Sequence, residues 1–223
     1  MKCYVVYLIF LLLTPTLSIA KTLTVNPEST IEIRGVVDGK ILEKADKLRA
    51  LATKFDEVTI VINSPGGSVM AGSIFISQME AVKTQGVGIR CIVTGLAASM
   101  ATHILAHCTT RYAFFYSYIL WHPARVGGLF FSVTADEAEY HARMLRIDEA
   151  PLNQYLFSQL NILRTEFDYH YKNESLIPAW YLSRQFIKLI DDVIGMPNLF
   201  AFEDILAQSI YNEYVQRSAG LGR

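Results

Sequence analysis

A serine hydroxyl becomes an effective nucleophile only when a base takes its proton and backbone donors wait for the oxyanion that forms. Two residues of this chain have neighbours suited to that partnership. Ser99 follows the small-residue run Gly95-Leu96-Ala97-Ala98, and His122 closes Leu120-Trp121-His122 just ahead of Pro123. Upstream, Asn63-Ser64-Pro65-Gly66-Gly67-Ser68 offers a glycine turn whose Gly67 amide can approach a substrate carbonyl. With the Met100 amide at the start of a helix it can form an oxyanion hole. Each piece alone has a plainer reading: Ser99 as a helix N-cap, His122 as a hydrogen-bonded core histidine, Gly66-Gly67 as a tight turn.

These residues need a scaffold that delivers them to one edge. From Lys21 onward, short β-branched runs alternate with helical periodicity, the pattern of an α/β domain built from βα units. Thr30 to Arg34 alternates like a half-exposed strand, a helix is predicted from about Lys40 to Lys54, and Val58 to Asn63 reads as a strand covered on both faces. A second helix begins with Ser68 as its N-cap and runs to about Thr84. The strand Ile89 to Thr94, a turn over Gly95 to Ser99, a helix from Ser99 to His107 and a strand Tyr118 to His122 complete the pattern. Ligands of parallel α/β sheets sit beyond the strand C-termini, where the glycine turn, Ser99 and His122 all land. Ala135 to Leu160 is a long helical stretch that Pro151 is expected to kink or split.

With 223 residues, 52% hydrophobic and 18% charged, and a formal net charge of −1, the chain suits a globular domain. Such a domain can bury about 70% of its unfolded surface, so it needs no disulfide or metal to hold its core together. No stretch carries the Lys and Arg excess that phosphate binding needs, so a nucleic-acid partner is not expected. Met1-Lys2, the apolar run Cys3 to Leu13, the Thr14-Pro15 break and Ser18-Ile19-Ala20 read as a secretory signal peptide over residues 1–20, cleaved after Ala20. The alternative is an uncleaved membrane anchor over residues 3–19. Either way the rest lies outside the cytoplasm, secreted or periplasmic. Residues 21–195 form the folded domain and 196–223 a helical tail. Cys91 and Cys108 then face an oxidising compartment, but their apolar surroundings favour two buried free thiols over a disulfide.

Taken together, Val61-Ile62-Asn63-Ser64-Pro65-Gly66-Gly67-Ser68-Val69, Gly95-Leu96-Ala97-Ala98-Ser99-Met100-Ala101 and Leu120-Trp121-His122-Pro123 closely resemble the Clp protease proteolytic-subunit (ClpP-like) family of serine peptidases in order and spacing. Asp136 to Arg143 resembles the start of that family's handle helix, and the likeness runs from about Thr30 to Ile194. The resemblance implies a crotonase-like ββα spiral with a long protruding handle helix. It also implies Ser99 as nucleophile, His122 as general base, the Gly67 and Met100 amides as oxyanion hole, and Gly66 and Ser68 as substrate-binding positions. Peptides or unfolded proteins would be hydrolysed through an acyl-enzyme without metal or organic cofactor, in a homo-oligomeric ring.

The departures from the family pattern matter as much. The family carries an aspartate some fifty residues beyond its histidine. Here aligning forward from the handle helix puts Glu174 near that position, with Asp168 in reserve, whereas anchoring on Tyr181-Leu182-Ser183 points to Ala179 and aligning backward from Leu189-Ile190-Asp191 gives Leu176. A Ser-His dyad, or a catalytically inactive oligomeric scaffold, is therefore the alternative. Export also removes the protein from ATP, so an ATPase-independent peptidase is expected. His103 and His107 have the spacing of two zinc ligands, but Ile104 stands where a metalloprotease helix carries glutamate, and an ordinary helix face is expected. His141 and His170 read as exposed. Acyl-CoA hydratases and isomerases share the crotonase fold but need no serine nucleophile, so the Ser99/His122 pair separates the two chemistries. Asn173-Glu174-Ser175 matches a glycosylation acceptor.

Overall fold

A computed structural model describes residues 23–125, 134–183 and 187–195. The leader over 1–20 and the tail over 196–223 lie outside the described residues. The β-branched runs become a parallel sheet in which β2 (Glu57–Ser64) lies between β1 (Thr30–Arg34) and β3 (Gly88–Ala98). Val58, Ile60, Ile62, Ile89, Cys91 and Val93 are all fully buried, as uninterrupted apolar runs in central strands require. β4 (Thr110–Phe114) and then β7 (Asp192–Ile194) extend the sheet in parallel beyond β3.

Strand β3 changes partner partway along its length. Arg90 to Val93 pair with β4, whereas Leu96 to Ala98 pair with β5 (Tyr118–Leu120), which itself meets the short β6 (Ile177–Pro178) antiparallel. Gly95 sits at the changeover. A Cβ there would come 2.8 Å from Asn63 Oδ1, the oxygen that accepts from the Leu96 amide at 3.2 Å. The expectation of a turn from Gly95 is thus corrected, because β5 pairing keeps the chain extended through Ala98.

The crossovers are helical: α1 (Ile41–Ala52) follows β1 and α2 (Val69–Thr84) follows β2. Ser68 caps α2 as predicted, its Oγ accepting from the Ala71 amide at 3.2 Å. α1 packs on α2, α2 on α3 (Met100–Ala106), and α3 on α4 (Ala135–Gln159). α4 begins at a capping box of Thr134 and Glu137 and runs unbroken through Pro151, so the proline does not split it. α5 (Arg164–Asn173) and α6 (Ala179–Leu182) follow. Leu48, Phe75, Met79, Ile104 and Leu105 are fully buried. At roughly 1.5–3 kcal/mol for each such side chain, this packing holds α3 firmly on the sheet.

The expectation of free thiols is overturned: Cys91 on β3 and Cys108 just past α3 form a disulfide, with Cα atoms 5.9 Å apart. α3 packs back against β3, which brings the end of the helix over an inward-facing strand position at bonding distance. Trp121 and His170 correct another expectation. The two rings meet edge to face at 5.6 Å, and His170 is buried rather than exposed.

Candidate active site

Ser99 joins β3 to α3 at φ 55° and ψ −124°, a conformation L-residues rarely adopt. Such a backbone costs about 1–3 kcal/mol and persists only where the surroundings enforce it. Here the Ser99 amide donates to Leu120 O at 2.8 Å, and the single hydroxyl hydrogen of Thr102 is shared between Ala97 O, 2.8 Å from Oγ1, and Leu120 O, 2.7 Å from it. The elbow is therefore tied to the end of β5, two residues before His122. Ser99 occupies the N-cap position, yet its side chain makes no capping bond. The plain N-cap reading fails, and a sharp strand-to-helix turn that presents a hydroxyl takes its place.

The glycine turn lies against this elbow. A Cβ on Gly66 would fall 2.5 Å from Ala98 O and 2.6 Å from Ser99 Cβ, so only glycine fits, and Gly66 adopts φ 87°. Ser64, fully buried, holds the turn: its Oγ donates to Gly35 O at 2.6 Å and accepts from the Gly66 amide at 3.1 Å. Val37 N donates to Gly66 O and Ser68 N to Val37 O, both at 2.8 Å. Among the described residues, the Gly67 amide between them has no acceptor. The Met100 amide opens α3, where the first N–H groups lack intrahelical acceptors.

A cavity of about 680 Å³ opens at this junction, and Gly66, Gly67, Ser68, Ser99, Met100 and His122 all line it. The six residues expected as nucleophile, base, oxyanion donors and substrate contacts thus share one space. His122 Nδ1 lies 2.7 Å from Pro123 O. A carbonyl only accepts, so Nδ1 carries a hydrogen, and in the neutral imidazole this leaves Nε2 with the lone pair a base requires. Among the described residues, no hydrogen bond joins Ser99 Oγ to His122, an arrangement common before substrate binds.

The two acids expected from the sequence are elsewhere. Glu174 ends α5 at φ 49° and pairs with Arg125, while Asp168 pairs with Arg164 at 2.9 Å. Neither lines the cavity or bonds His122. Among the described residues, the carboxylates that line it are Asp148 and Glu149, on α4. Glu149 is buried, and its Oε1 accepts from the Ala124 amide at 3.0 Å and from Tyr171 Oη at 2.7 Å. Burial and this bond push the Tyr171 hydroxyl well above its ordinary range, so it remains a donor. Sequence reasoning missed Glu149. The signal lies in the stripe Leu145, Glu149, Leu152, Leu156, where a carboxylate interrupts the apolar face of α4 at helical spacing.

His103 also lines the cavity, and burial, with the His107 charge adding, drives its imidazole down to about 4. His107 serves the scaffold. Its Nδ1 bonds Glu80 Oε1 at 2.8 Å, its ring stacks on Tyr155, and Lys83 Nζ donates to its carbonyl at 3.0 Å. Both histidines are buried, so the expected ordinary helix face is corrected. Burial alone would raise the Glu80 carboxyl, but the Lys83 and His107 hydrogen bonds outweigh it and hold the group below its usual value.

A glycine turn, an uncapped serine at a strained strand-to-helix elbow and a histidine at a neighbouring strand end define a serine peptidase of the crotonase-like fold. The Clp protease family model matches residues 19–177, more than half of the chain, and the chain belongs to that family of serine-type peptidases. The ATP-dependent Clp protease proteolytic subunit 1 of Chlamydia caviae is 32% identical over 148 residues, 56% of this chain and 75% of that protein. The proteins of the same name from Chlamydia muridarum and Chlamydia pneumoniae are 36% and 37% identical over 89 residues, each match spanning 39% of this chain and 44% of the relative.

Proposed function

We propose that this protein is a serine-type endopeptidase that cleaves peptides or unfolded chains through an acyl-enzyme on Ser99. His122 Nε2 takes the Ser99 proton as Oγ attacks the scissile carbonyl, and the Gly67 and Met100 amides receive the oxyanion. His122 then gives the proton to the departing amine, and water activated by the same nitrogen releases the acyl group. The observation that carries the reading is Ser99 itself, held at φ 55° with its hydroxyl uncapped in a cavity it shares with His122. Hydrolysis of a quenched fluorescent peptide by the wild type but not by Ser99→Ala is the expected result.

Export and independence from an ATPase are part of the same proposal. The disulfide supports them, because cysteine pairs persist in oxidising compartments and are rare where thiols are kept reduced. Fractionation that finds the chain only in the cytosol with residues 1–20 attached would reverse this part. Assembly into a ring is supported by α4, where Tyr140, Met144 and Ile147 form an exposed stripe at helical spacing that a second copy can cover. A monomer by light scattering would remove it. The alternative, an inactive oligomeric scaffold, draws on the engagement of Glu174 by Arg125 instead of His122. Under it, Ser99→Ala leaves every phenotype unchanged.

A further inference from the structure

The Pro123–Ala124 peptide bond has a partner at each end. Its carbonyl accepts from His122 Nδ1 at 2.7 Å, and its N–H donates to the Glu149 carboxylate at 3.0 Å. The peptide is a rigid, conjugated plane. Giving its N–H to an anion therefore shifts electron density toward its oxygen and strengthens the bond that oxygen accepts, as in any hydrogen-bonded chain.

We infer that Glu149 is the positioning acid of this site, acting on His122 through the Pro123–Ala124 peptide instead of by direct contact. No proton passes to the carboxylate. The relay holds Nδ1–H in place, so that Nε2 faces the cavity as the lone-pair nitrogen, and it favours the imidazolium that forms when Ser99 is deprotonated. Tyr171 fixes the same oxygen from α5 at 2.7 Å. Glu149, the carboxylate end of the relay, is only 7% exposed, while His122, Pro123 and Ala124 are half-buried. A buried carboxylate costs free energy unless its partners compensate, and one of the two partners seen here, Ala124, lines the cavity. The helix stripe gives the position its reach: Glu149 is 25 residues from Ala124 in the chain yet bonds it directly.

The inference rests on the proposed Ser99/His122 chemistry for its consequence but not for its detection. Glu149→Gln keeps an acceptor oxygen and removes the charge. The His122 Nδ1–H proton resonance is expected to move upfield in this variant. Labelling of Ser99 by a fluorophosphonate is expected to slow about ten-fold, with half-saturation by the probe unchanged. An unmoved resonance in folded Glu149→Gln overturns the relay, whether or not Ser99 reacts. A wild type that is not labelled, but whose resonance moves as stated, overturns the proposed activity and leaves the relay. Should Glu149→Gln fail to melt cooperatively, Tyr171→Phe decides instead. It removes the competing donor and leaves the carboxylate to Ala124, so the resonance is expected to move downfield, and an upfield or absent shift overturns the inference.

Discussion

The disulfide between Cys91 and Cys108 spans 17 positions, and Ser99 lies inside the loop it closes. The bond staples the strand that enters the elbow to the end of the helix that leaves it. The turn that holds the hydroxyl at φ 55° is thereby closed covalently at its base.

Removing that staple is expected to cost about 3 kcal/mol, the loop-closure value for a ring of this size. At about 2–4 °C per kcal/mol for a domain of this length, a reductant or the Cys91→Ala/Cys108→Ala pair should lower Tm by about 6–12 °C. A melt indifferent to reductant would show that the elbow is held by packing alone.

Gly66 has no room for a side chain. In Gly66→Ala the new methyl meets Ala98 O at 2.5 Å and Ser99 Cβ at 2.6 Å, so the elbow must shift. Displacing a reacting group by about 1 Å costs roughly 10²-fold in rate. Peptide hydrolysis by Gly66→Ala should fall by that order while circular dichroism remains native-like. Wild-type turnover would mean that the glycine turn does not touch the reacting centre.

His103 and His170 are both buried, and burial holds each imidazole down to about 4. The unfolded chain takes up their protons near 6.5, the folded protein only near 4, so the unfolded state binds more protons between those values. Stability is therefore full above pH 6.5 and is lost as pH falls toward 4, by up to about 3 kcal/mol for each group. Urea midpoints measured from pH 7 to pH 4 should fall steadily, and His103→Asn should flatten the decline. A midpoint that holds constant over that range would contradict the burial argument.

Arg125 and Glu174 form an ion pair whose side chains are 67% and 40% exposed. Exposed pairs contribute about 0–1 kcal/mol, so Glu174→Gln should leave Tm within a few degrees and hydrolysis within about two-fold. A loss near 10⁴, the scale of losing an orienting acid, would mean that Glu174 turns to His122 when substrate is bound.

Much of this architecture is legible in the sequence because it is local. Continuous β-branched runs mark buried strands, Ser68 caps α2 where the periodicity says it should, and the paired glycines must sit where backbone approaches backbone. The relation of Ser99 to His122 becomes readable only through the family resemblance, since it depends on β5 pairing with the end of β3. What stays hidden depends on long-range contact. Cys91 looks like any apolar strand position until α3 folds back over it. His170 lies between two tyrosines in a polar segment and reads as exposed until Trp121 covers it. Aligning forward from the handle helix leads to Glu174, whereas the carboxylate that reaches the histidine's own loop, Glu149, comes from the middle of α4.

The central claim is that Ser99 Oγ is the atom that reacts. Incubating the folded protein with a fluorophosphonate and mapping the adduct by tandem mass spectrometry tests it directly. The account predicts one adduct, on Ser99 in the tryptic fragment that follows Arg90, that is lost in His122→Ala. An unmodified Ser99, or an adduct on any other residue, would contradict it.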